Sequence, residues 1–226
     1  MDPILSGYRA AIFDLDGTLA DSMHVWKTIC RDWLAGRGIR AEEHLEQELA
    51  KMSVAQSADY VIRSYGIALE PSAVQAQWQD MVLCQYANTV SLKEGAAELV
   101  RALDAAGMRL AVATSCFPAA CEAILGRHGI RSYFSAILYS HEVSRDKSFP
   151  DIYLACARRL KTEPASCVVF EDIPFSLSGV RAAGMGLVAV YDRHSGAEWK
   201  QFGEAADLAI RSFRELLPWP PLLASG

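Results

Sequence analysis

Two aspartates, Asp14 and Asp16, are the residues of this sequence with the clearest chemical potential. They follow a short apolar run (AAIF, residues 10–13). The period of two in a strand places residues i and i+2 on the same side, and Gly17 lets the chain turn sharply after them. Carboxylates at the carboxyl end of a buried parallel strand lie where ligands bind in open α/β sheets. An isolated pair would be explained more simply as a turn, in which Asp is common, but the longer string and its partners elsewhere in the chain favour a functional role.

Short apolar runs rich in Val, Ile, Leu and Ala have the length of buried strands. They are residues 9–13, 108–115, 135–140, 167–172 and 186–192. Amphipathic stretches of helical period lie between the later runs, for example at residues 94–106 and 150–160. Because alternation of strand and helix is typical of a parallel sheet covered on both faces, the expected fold class is α/β with a Rossmann-like parallel-sheet core.

A long stretch after the first strand carries helical patterns only. These patterns are broken near residues 36–39, 51–53 and 66–71. Since the first strand precedes this stretch and the other strands follow it, we expect an inserted all-helical domain at residues 21–89. The core would then be discontinuous, with residues 1–20 and 90–226. The two chain crossings, at residues 19–22 and 90–94, are expected to form a hinge.

Charge and composition narrow the classes of function. The 226 residues include 22 Lys and Arg and 27 Asp and Glu, so the formal charge is −5, which argues against a nucleic-acid binder because such proteins usually present a basic surface. The N-terminus lacks the basic region and apolar run of a signal peptide. The longest uncharged run, residues 110–121, is shorter than the roughly 20 residues that span a bilayer. We therefore expect a cytoplasmic protein with no nucleic-acid or membrane partner.

The string DLDGTLADS at residues 14–22 resembles the first motif of the haloacid dehalogenase superfamily. Three further segments resemble the other motifs in order: LAVAT ending at Thr114, DKSFPDIY around Lys147, and VFEDIP at residues 169–174. The match covers most of the chain. The helical insert is placed like the helical cap of the subgroup that includes sugar phosphatases and β-phosphoglucomutase.

The resemblance implies a role for each motif position. Asp14 is the expected nucleophile and a metal ligand through its side chain. Asp16 is the expected general acid and base, and a metal ligand through its backbone carbonyl. Glu171 and Asp172 are expected to complete a Mg²⁺ site with their carboxylates. The residues expected to hold the phosphoryl group are Thr114, Ser115 and Lys147.

Electrostatics supports a cation at this edge of the sheet. Four carboxylates that converge there repel one another and raise one another's pKa. A hard divalent cation relieves this repulsion, and Mg²⁺ typically takes one or two carboxylates together with phosphate and water. The alternative for Glu171 and Asp172 is the first turn of a helix, where acidic residues are favoured and which Pro174 suits. Both interpretations place the two residues at the same point of the chain.

The second aspartate favours phosphate esters over carbon–halogen bonds, because the dehalogenating members of the superfamily do not carry Asp at the position of Asp16. The mutase of the subgroup holds a second phosphate with an Arg in the first cap loop and Ser–Lys after the second motif. This sequence has KMSVAQ at residues 51–56, and Cys116, Phe117 and Pro118 after the second motif. Water is therefore the expected phosphoryl acceptor. A mutase and a non-catalytic phosphate-binding protein are the alternatives.

Substrate selection is expected to depend on the insert, chiefly on residues 23–27 and 51–56. Trp26 with Phe117 is expected to offer an apolar wall to the leaving group, although Trp26 is explained equally well as part of the insert's core. Cys116, beside the phosphate loop, is expected to be partly exposed. The complete prediction is a Mg²⁺-dependent phosphatase, monomeric or weakly dimeric, that acts on a small phosphorylated metabolite such as a sugar phosphate through an aspartyl-phosphate.

Overall fold

The computed structural model describes residues 7–49, 52–196 and 198–218. The strands of this part form one sheet: β1 (Ala10–Phe13), β2 (Arg109–Thr114), β3 (Phe134–Tyr139), β4 (Cys167–Glu171), β5 (Gly186–Val190) and β6 (Leu208–Ile210). The pairing is parallel in the order β3-β2-β1-β4-β5-β6. Ala10 of β1 pairs with Arg109 on one side and with Cys167 on the other. The carboxyl end of β1 therefore lies between two other strand ends.

Helices occupy most of the remaining described chain. Those directly after β1 are α1 (Met23–Ala35), α2 (Leu45–Leu49), α3 (Val54–Tyr65) and α4 (Pro71–Asn88). Those that follow are α5 (Ala96–Ala105), α6 (Pro118–Arg127), α7 (Asp151–Leu160), α8 (Ser176–Ala182) and α9 (Glu198–Ala205). The α/β class and the parallel-sheet core predicted from the sequence are confirmed. No helix in the described ranges combines the length and the apolar character that a membrane crossing needs.

Both faces of the sheet are buried, as expected for parallel strands with near-continuous apolar sequences. Ala11 and Phe13 contribute to one face, where Phe13 stacks on Phe170 of β4 with ring centroids 4.5 Å apart. Ala10 and Ile12 contribute to the other face, which α7 and α8 cover. Because neighbouring residues of β1 are fixed on opposite faces, a slip by one residue would exchange the side chains that pack on the two faces, so packing on both faces fixes the register.

The four helices α1 to α4 lie between β1 and β2, in the stretch expected as an insert at residues 21–89, which we call the helical insert. Their buried side chains are continuous with the apolar core on the Phe13 face of the sheet. Within the insert, the rings of Trp33 and Trp78 meet edge to face with centroids 5.9 Å apart. The helix α3 begins with a capping box: the Gln56 backbone N–H donates to Ser53 Oγ at 3.3 Å, and the Ser53 N–H donates to Gln56 Oε1 at 2.8 Å. This reciprocal pair explains why the helix begins here.

The two chain crossings between insert and sheet lie side by side. The backbone N–H of Asp21 donates to the Ser91 carbonyl at 2.9 Å, and that of Lys93 donates to the Leu19 carbonyl at 2.8 Å. The insert therefore leaves and rejoins the rest of the molecule at one place, just past the carboxyl end of β1.

The structure corrects three expectations about elements. The strand β6 is not predicted from the sequence, because its three residues are too few to carry a pattern. The strand β4 ends at Glu171, so Asp172 lies just past it. The helix α8 begins only at Ser176, so neither acidic residue occupies the first turn of a helix. Lys51, expected among the substrate-selecting residues, lies outside the described residues.

Candidate active site

Three buried carboxyl groups meet at the carboxyl edge of the sheet, and we call Asp14, Glu171 and Asp172 the carboxylate cluster. One oxygen atom of each lies within 4.8 Å of the others. Asp14 directly follows β1 and Glu171 ends β4, and these strands are neighbours. The Asp14 backbone N–H donates to the carbonyl of Phe170 at 2.9 Å. This hydrogen bond extends the pairing of β1 with β4 past the end of β1. Sheet pairing therefore positions the cluster.

Lys147 is the cation that faces this cluster. Its Nζ donates to Asp14 Oδ1 and, at 2.8 Å, to Glu171 Oε1. The residue is only 3% exposed. Burial alone would lower the pKa of Lys147, but the charges of Asp14 and Glu171 outweigh it and raise this pKa above its usual value. The ammonium group therefore stays charged in its buried position.

One lysine does not compensate three buried carboxyl groups. Burial raises the pKa of Asp14 above its usual range; Lys147 opposes the rise, and the charges of Glu171 and Asp16 add to it. Burial, together with the charges of Asp14 and Glu171, also raises the pKa of Asp172. Glu171 Oε2 has no hydrogen-bond partner among the described residues, although buried polar atoms normally have one. Hard oxygen donors, missing positive charge and a free carboxylate oxygen together fit a divalent cation.

Neutral groups fix the orientation of two of these carboxylates. Thr18 Oγ1 donates to Asp172 Oδ1 at 3.1 Å, and the Tyr153 hydroxyl donates to Glu171 Oε1 at 3.0 Å. Gly17 has a φ of +83°, and a Cβ atom there would lie 2.1 Å from Asp172 Oδ2. Both the left-handed backbone and this close approach require glycine.

The surroundings of Asp16 are different. The residue is half-buried, and its Oδ1 accepts hydrogen bonds from Ser22 Oγ at 2.7 Å, from Trp26 Nε1 at 3.1 Å and from the Tyr86 hydroxyl. All three donors belong to the helical insert, and we call Ser22, Trp26 and Tyr86 the donor cluster. Three of the four predicted carboxylates thus form the carboxylate cluster, whereas the Asp16 side chain is held by the insert.

Two of the three residues expected to bind phosphate, Thr114 and Ser115, lie at the end of β2, which pairs with β1 on the side opposite β4. Thr114 ends β2 and is buried, and its Oγ1 accepts from the Cys116 backbone N–H at 3.0 Å, which leaves the hydroxyl proton to donate elsewhere. Ser115 is exposed, and its Oγ lies 2.7 Å from Ser140 Oγ. With Lys147 on the other side, hydrogen-bond donors surround the carboxyl end of β1.

The predicted specificity residues lie where the insert meets the core. Trp26 of α1 and Phe117, just before α6, are half-buried, and their ring centroids are 5.5 Å apart. The expected exposure of Cys116 is wrong: the side chain is 2% exposed because it packs into the main apolar core. Burial, and next the charge of Asp16, raises the pKa of the Cys116 thiol. The thiol is therefore protonated and offers no open surface to a substrate.

Sequence reasoning missed four residues that hold the site's carboxylates. Thr18, Ser22 and Tyr153 lie within the motif segments themselves, so their proximity to the motif aspartates and lysine was the available signal. Tyr86 carried no such signal, because it lies 70 positions from its partner along the chain.

A model of haloacid dehalogenase-like hydrolases matches residues 8–184. The chain belongs to this family. Fructose-1-phosphate phosphatase YqaB of Escherichia coli (strain K12) is 31% identical over 184 residues, which cover 81% of this chain and 96% of the relative. Protein CbbY of Cereibacter sphaeroides is 30% identical over 92% of this chain and 94% of its own length.

The fold of this family member also resembles a solved structure over nearly its whole length. The crystal structure of CbbY from Rhodobacter sphaeroides in complex with phosphate matches with a TM-score of 0.79 at 25% identity, and the match covers 92% of this chain and 96% of that one. The similarity includes the helical insert, since a match confined to the sheet and its own helices would cover a smaller share of the chain.

Proposed function

We propose that this haloacid dehalogenase-like hydrolase is a Mg²⁺-dependent phosphatase that hydrolyses a small phosphorylated metabolite through an aspartyl-phosphate. The observation that carries the proposal is the pairing of a buried Asp14 with Lys147 inside a carboxylate cluster that carries more negative than positive charge. This arrangement attracts a divalent cation, which together with Lys147 would attract a phosphate dianion. The relative named as a fructose-1-phosphate phosphatase supports a sugar phosphate as the substrate class.

The carboxylates of Asp14, Glu171 and Asp172 would hold Mg²⁺, with the backbone carbonyl of Asp16 as a further ligand. The unpaired Oε2 atom of Glu171 supports this assignment, because a ligand would satisfy it. When bound, Mg²⁺ offsets negative charge on the phosphoryl oxygens.

In the first step a carboxylate oxygen of Asp14 forms a bond to phosphorus while the bond from phosphorus to the alcohol oxygen breaks. Lys147 holds the Asp14 carboxylate and offsets charge on the phosphoryl group. The Thr114 hydroxyl and the Ser115 backbone N–H donate hydrogen bonds to phosphoryl oxygens. Asp16, as the protonated acid, gives its proton to the leaving oxygen.

In the second step the Asp16 carboxylate takes a proton from a water molecule. The water oxygen forms a bond to phosphorus, and the bond between phosphorus and Asp14 breaks. Inorganic phosphate leaves, and both aspartates return to their starting protonation states.

We infer that residues 21–89 form a cap domain over a core of residues 1–20 and 90–226. The adjacent crossings of the chain suit a hinge, and closure would exclude water during the first step. Trp26 and Phe117 would then contact the leaving group, since they meet at the junction of insert and core.

Hydrolysis of 4-nitrophenyl phosphate, before and after removal of Mg²⁺ with a chelator, tests the proposal. We expect turnover that requires Mg²⁺, and a kcat lower by at least about 10³-fold in Asp14→Asn, because removal of a nucleophile costs several orders of magnitude in kcat. The matched control is Asp80→Asn, an exposed position on α4, which should keep parental activity. No turnover in the parent with Mg²⁺, or full activity in Asp14→Asn, would contradict the proposal.

The alternatives from the sequence give different products in a second assay. Incubation with β-glucose 1-phosphate and a trace of the bisphosphate should release free phosphate from a phosphatase. Formation of glucose 6-phosphate would instead identify a mutase. A non-catalytic phosphate-binding protein would turn over neither 4-nitrophenyl phosphate nor β-glucose 1-phosphate.

A further inference from the structure

The three donors around Asp16 all bind the same oxygen atom. Ser22, Trp26 and Tyr86 donate to Oδ1, and Oδ2 accepts no side-chain hydrogen bond from the described residues. An aspartate held in this way has one oxygen fixed and the other free for proton transfer. The donors are neutral, so they orient the carboxylate without supplying a full positive charge.

Tyr86 is the most firmly placed of these donors. It is fully buried near the end of α4, and its hydroxyl also accepts from Trp26 Nε1 at 2.9 Å. Its backbone is tied to the core helix α6, because Arg127 Nε donates to the Tyr86 carbonyl at 3.2 Å and the same guanidinium donates to the carbonyl of Val90. Tyr86 is thus part of the insert by sequence but is anchored to the core beside the chain crossing.

The Tyr86 hydroxyl accepts from Trp26 and donates to Asp16, so its single proton is directed at the Asp16 carboxylate. The neutral hydroxyl therefore serves as a donor throughout the reaction. It does not act as an acid or base itself.

We propose that Tyr86 is a positioning residue for proton transfer by Asp16. Its O–H holds Oδ1 so that Oδ2 faces the leaving oxygen. When Oδ2 gives its proton to the alcohol oxygen, which keeps the electron pair of the broken bond to phosphorus, negative charge develops on the Asp16 carboxylate. The Tyr86 hydrogen bond stabilises that charge as it forms. This inference rests on the proposed phosphatase function and adds a residue outside the motif segments.

The test compares leaving groups in Tyr86→Phe. The measured quantity is kcat/KM, which reports the steps up to release of the alcohol, for alkyl phosphates and for 4-nitrophenyl phosphate. Alkoxide is a poor leaving group that needs the proton of Asp16, whereas 4-nitrophenolate leaves without it. We expect kcat/KM to fall about tenfold for alkyl phosphates and less than about twofold for the aryl ester, because one hydrogen bond to a charged group is lost.

Two further variants separate positioning from general damage to the fold. Tyr65→Phe removes another hydroxyl of the insert, one that accepts from the Glu42 backbone N–H at 3.0 Å, and it should show no dependence on leaving group. In an Asp16→Asn background, Tyr86→Phe should lower the remaining kcat/KM for alkyl phosphates by less than about twofold, because a residue that acts through Asp16 has no separate effect once that acid is removed.

The outcomes distinguish this inference from the function on which it rests. A parent without Mg²⁺-dependent turnover contradicts both the phosphatase function and the role of Tyr86. With an active parent, an equal loss for alkyl and aryl esters in Tyr86→Phe would show a structural role only. No loss for either ester, or a full additional loss in the Asp16→Asn background, would also overturn the inference.

Discussion

Asp14 and Asp16 are two residues apart at the end of one strand, yet their side chains lie in contrasting surroundings. The Asp14 carboxylate is buried, faces Lys147 and stands beside two further carboxyl groups. The Asp16 carboxylate is half-buried and faces neutral O–H and N–H donors. One site depends on compensation of charge, and the other on the direction of hydrogen bonds.

The contrast also separates the parts of the fold on which each aspartate depends. The partners of Asp14 come from the core: Lys147 precedes α7, and Glu171 ends β4, which pairs with β1. The partners of Asp16 come from the insert, within α1, just before it and near the end of α4. The proposed nucleophile is therefore fixed by the sheet, whereas the proposed proton transfer by Asp16 depends on how the insert is placed. Substitutions in the insert can therefore alter the hydrogen bonds to Asp16 and leave the surroundings of Asp14 intact.

The largest effect should come from removing the cation of the carboxylate cluster. Lys147→Met leaves the buried carboxyl groups of Asp14 and Glu171 without the one lysine that contacts them in the described part of the chain. We therefore expect the free energy of unfolding to fall by about 3–5 kcal/mol, the usual cost of breaking a buried ion pair from one side. The measurement is chemical denaturation with and without Mg²⁺. Mg²⁺ should recover part of the loss, because it supplies positive charge to the same oxygens.

Lys200→Met is the matched control for this prediction, because the same substitution is then made at an exposed lysine of α9. It should change stability by less than about 0.5 kcal/mol and should not alter the response to Mg²⁺. If Lys147→Met were as harmless as the control, the dependence of the Asp14 surroundings on charge would be refuted.

A smaller loss of stability should follow from a steric clash with the carboxylate cluster. Gly17→Ala places a Cβ atom 2.1 Å from Asp172 Oδ2 at a φ of +83°, so the carboxylate must move. We expect a loss of about 2–3 kcal/mol in the free energy of unfolding, from backbone strain and the displaced side chain. Mg²⁺ should stabilise this variant less than it stabilises the parent, which thermal unfolding measures.

Gly38→Ala supplies the control, because its φ is +71° and no atom lies within 4 Å of the added Cβ. This variant has the backbone strain without the clash, so its free energy of unfolding should fall by about 1 kcal/mol. The stabilisation by Mg²⁺ should be the same as in the parent. Equal Mg²⁺ responses in the two alanine variants would mean that Asp172 does not contribute to a cation site.

The same contrast explains what the sequence could predict. The carboxyl ends of parallel strands meet at one edge of a sheet, so the apolar runs before Asp14, Thr114 and Glu171 were enough to place these residues together. Lys147 lies in a separate motif segment, and its position beside Asp14 was expected from the family resemblance. The α/β class needed only the short apolar runs and the helical period of the stretches between them, whereas the strand order was not predicted from the sequence.

Tyr86, the partner of Asp16 that lies farthest from it along the chain, was beyond such reasoning. Tyr86 lies on a helix of the insert, and its position follows from packing against α6 and from the contact with Arg127, which no local pattern encodes. The burial of Cys116 was missed for the same reason, since its side chain belongs to the apolar core that the insert and the sheet share. The short β6 has too few residues to show alternation. Contacts between the insert and the core are thus the part of the site that required a structure.

The smallest effect should come from the donor cluster, where three donors share one oxygen. Ser22→Ala removes the 2.7 Å hydrogen bond to Asp16 Oδ1 and leaves the other two donors in place. We expect kcat/KM for alkyl phosphates to fall about two- to fivefold, less than in Tyr86→Phe, with almost no change for 4-nitrophenyl phosphate. Ser57→Ala, at a buried serine of α3, should affect neither ester. A loss of equal size for both esters in Ser22→Ala would mean that this serine supports the start of α1 and not the orientation of Asp16, and the donor cluster would then reduce to Trp26 and Tyr86.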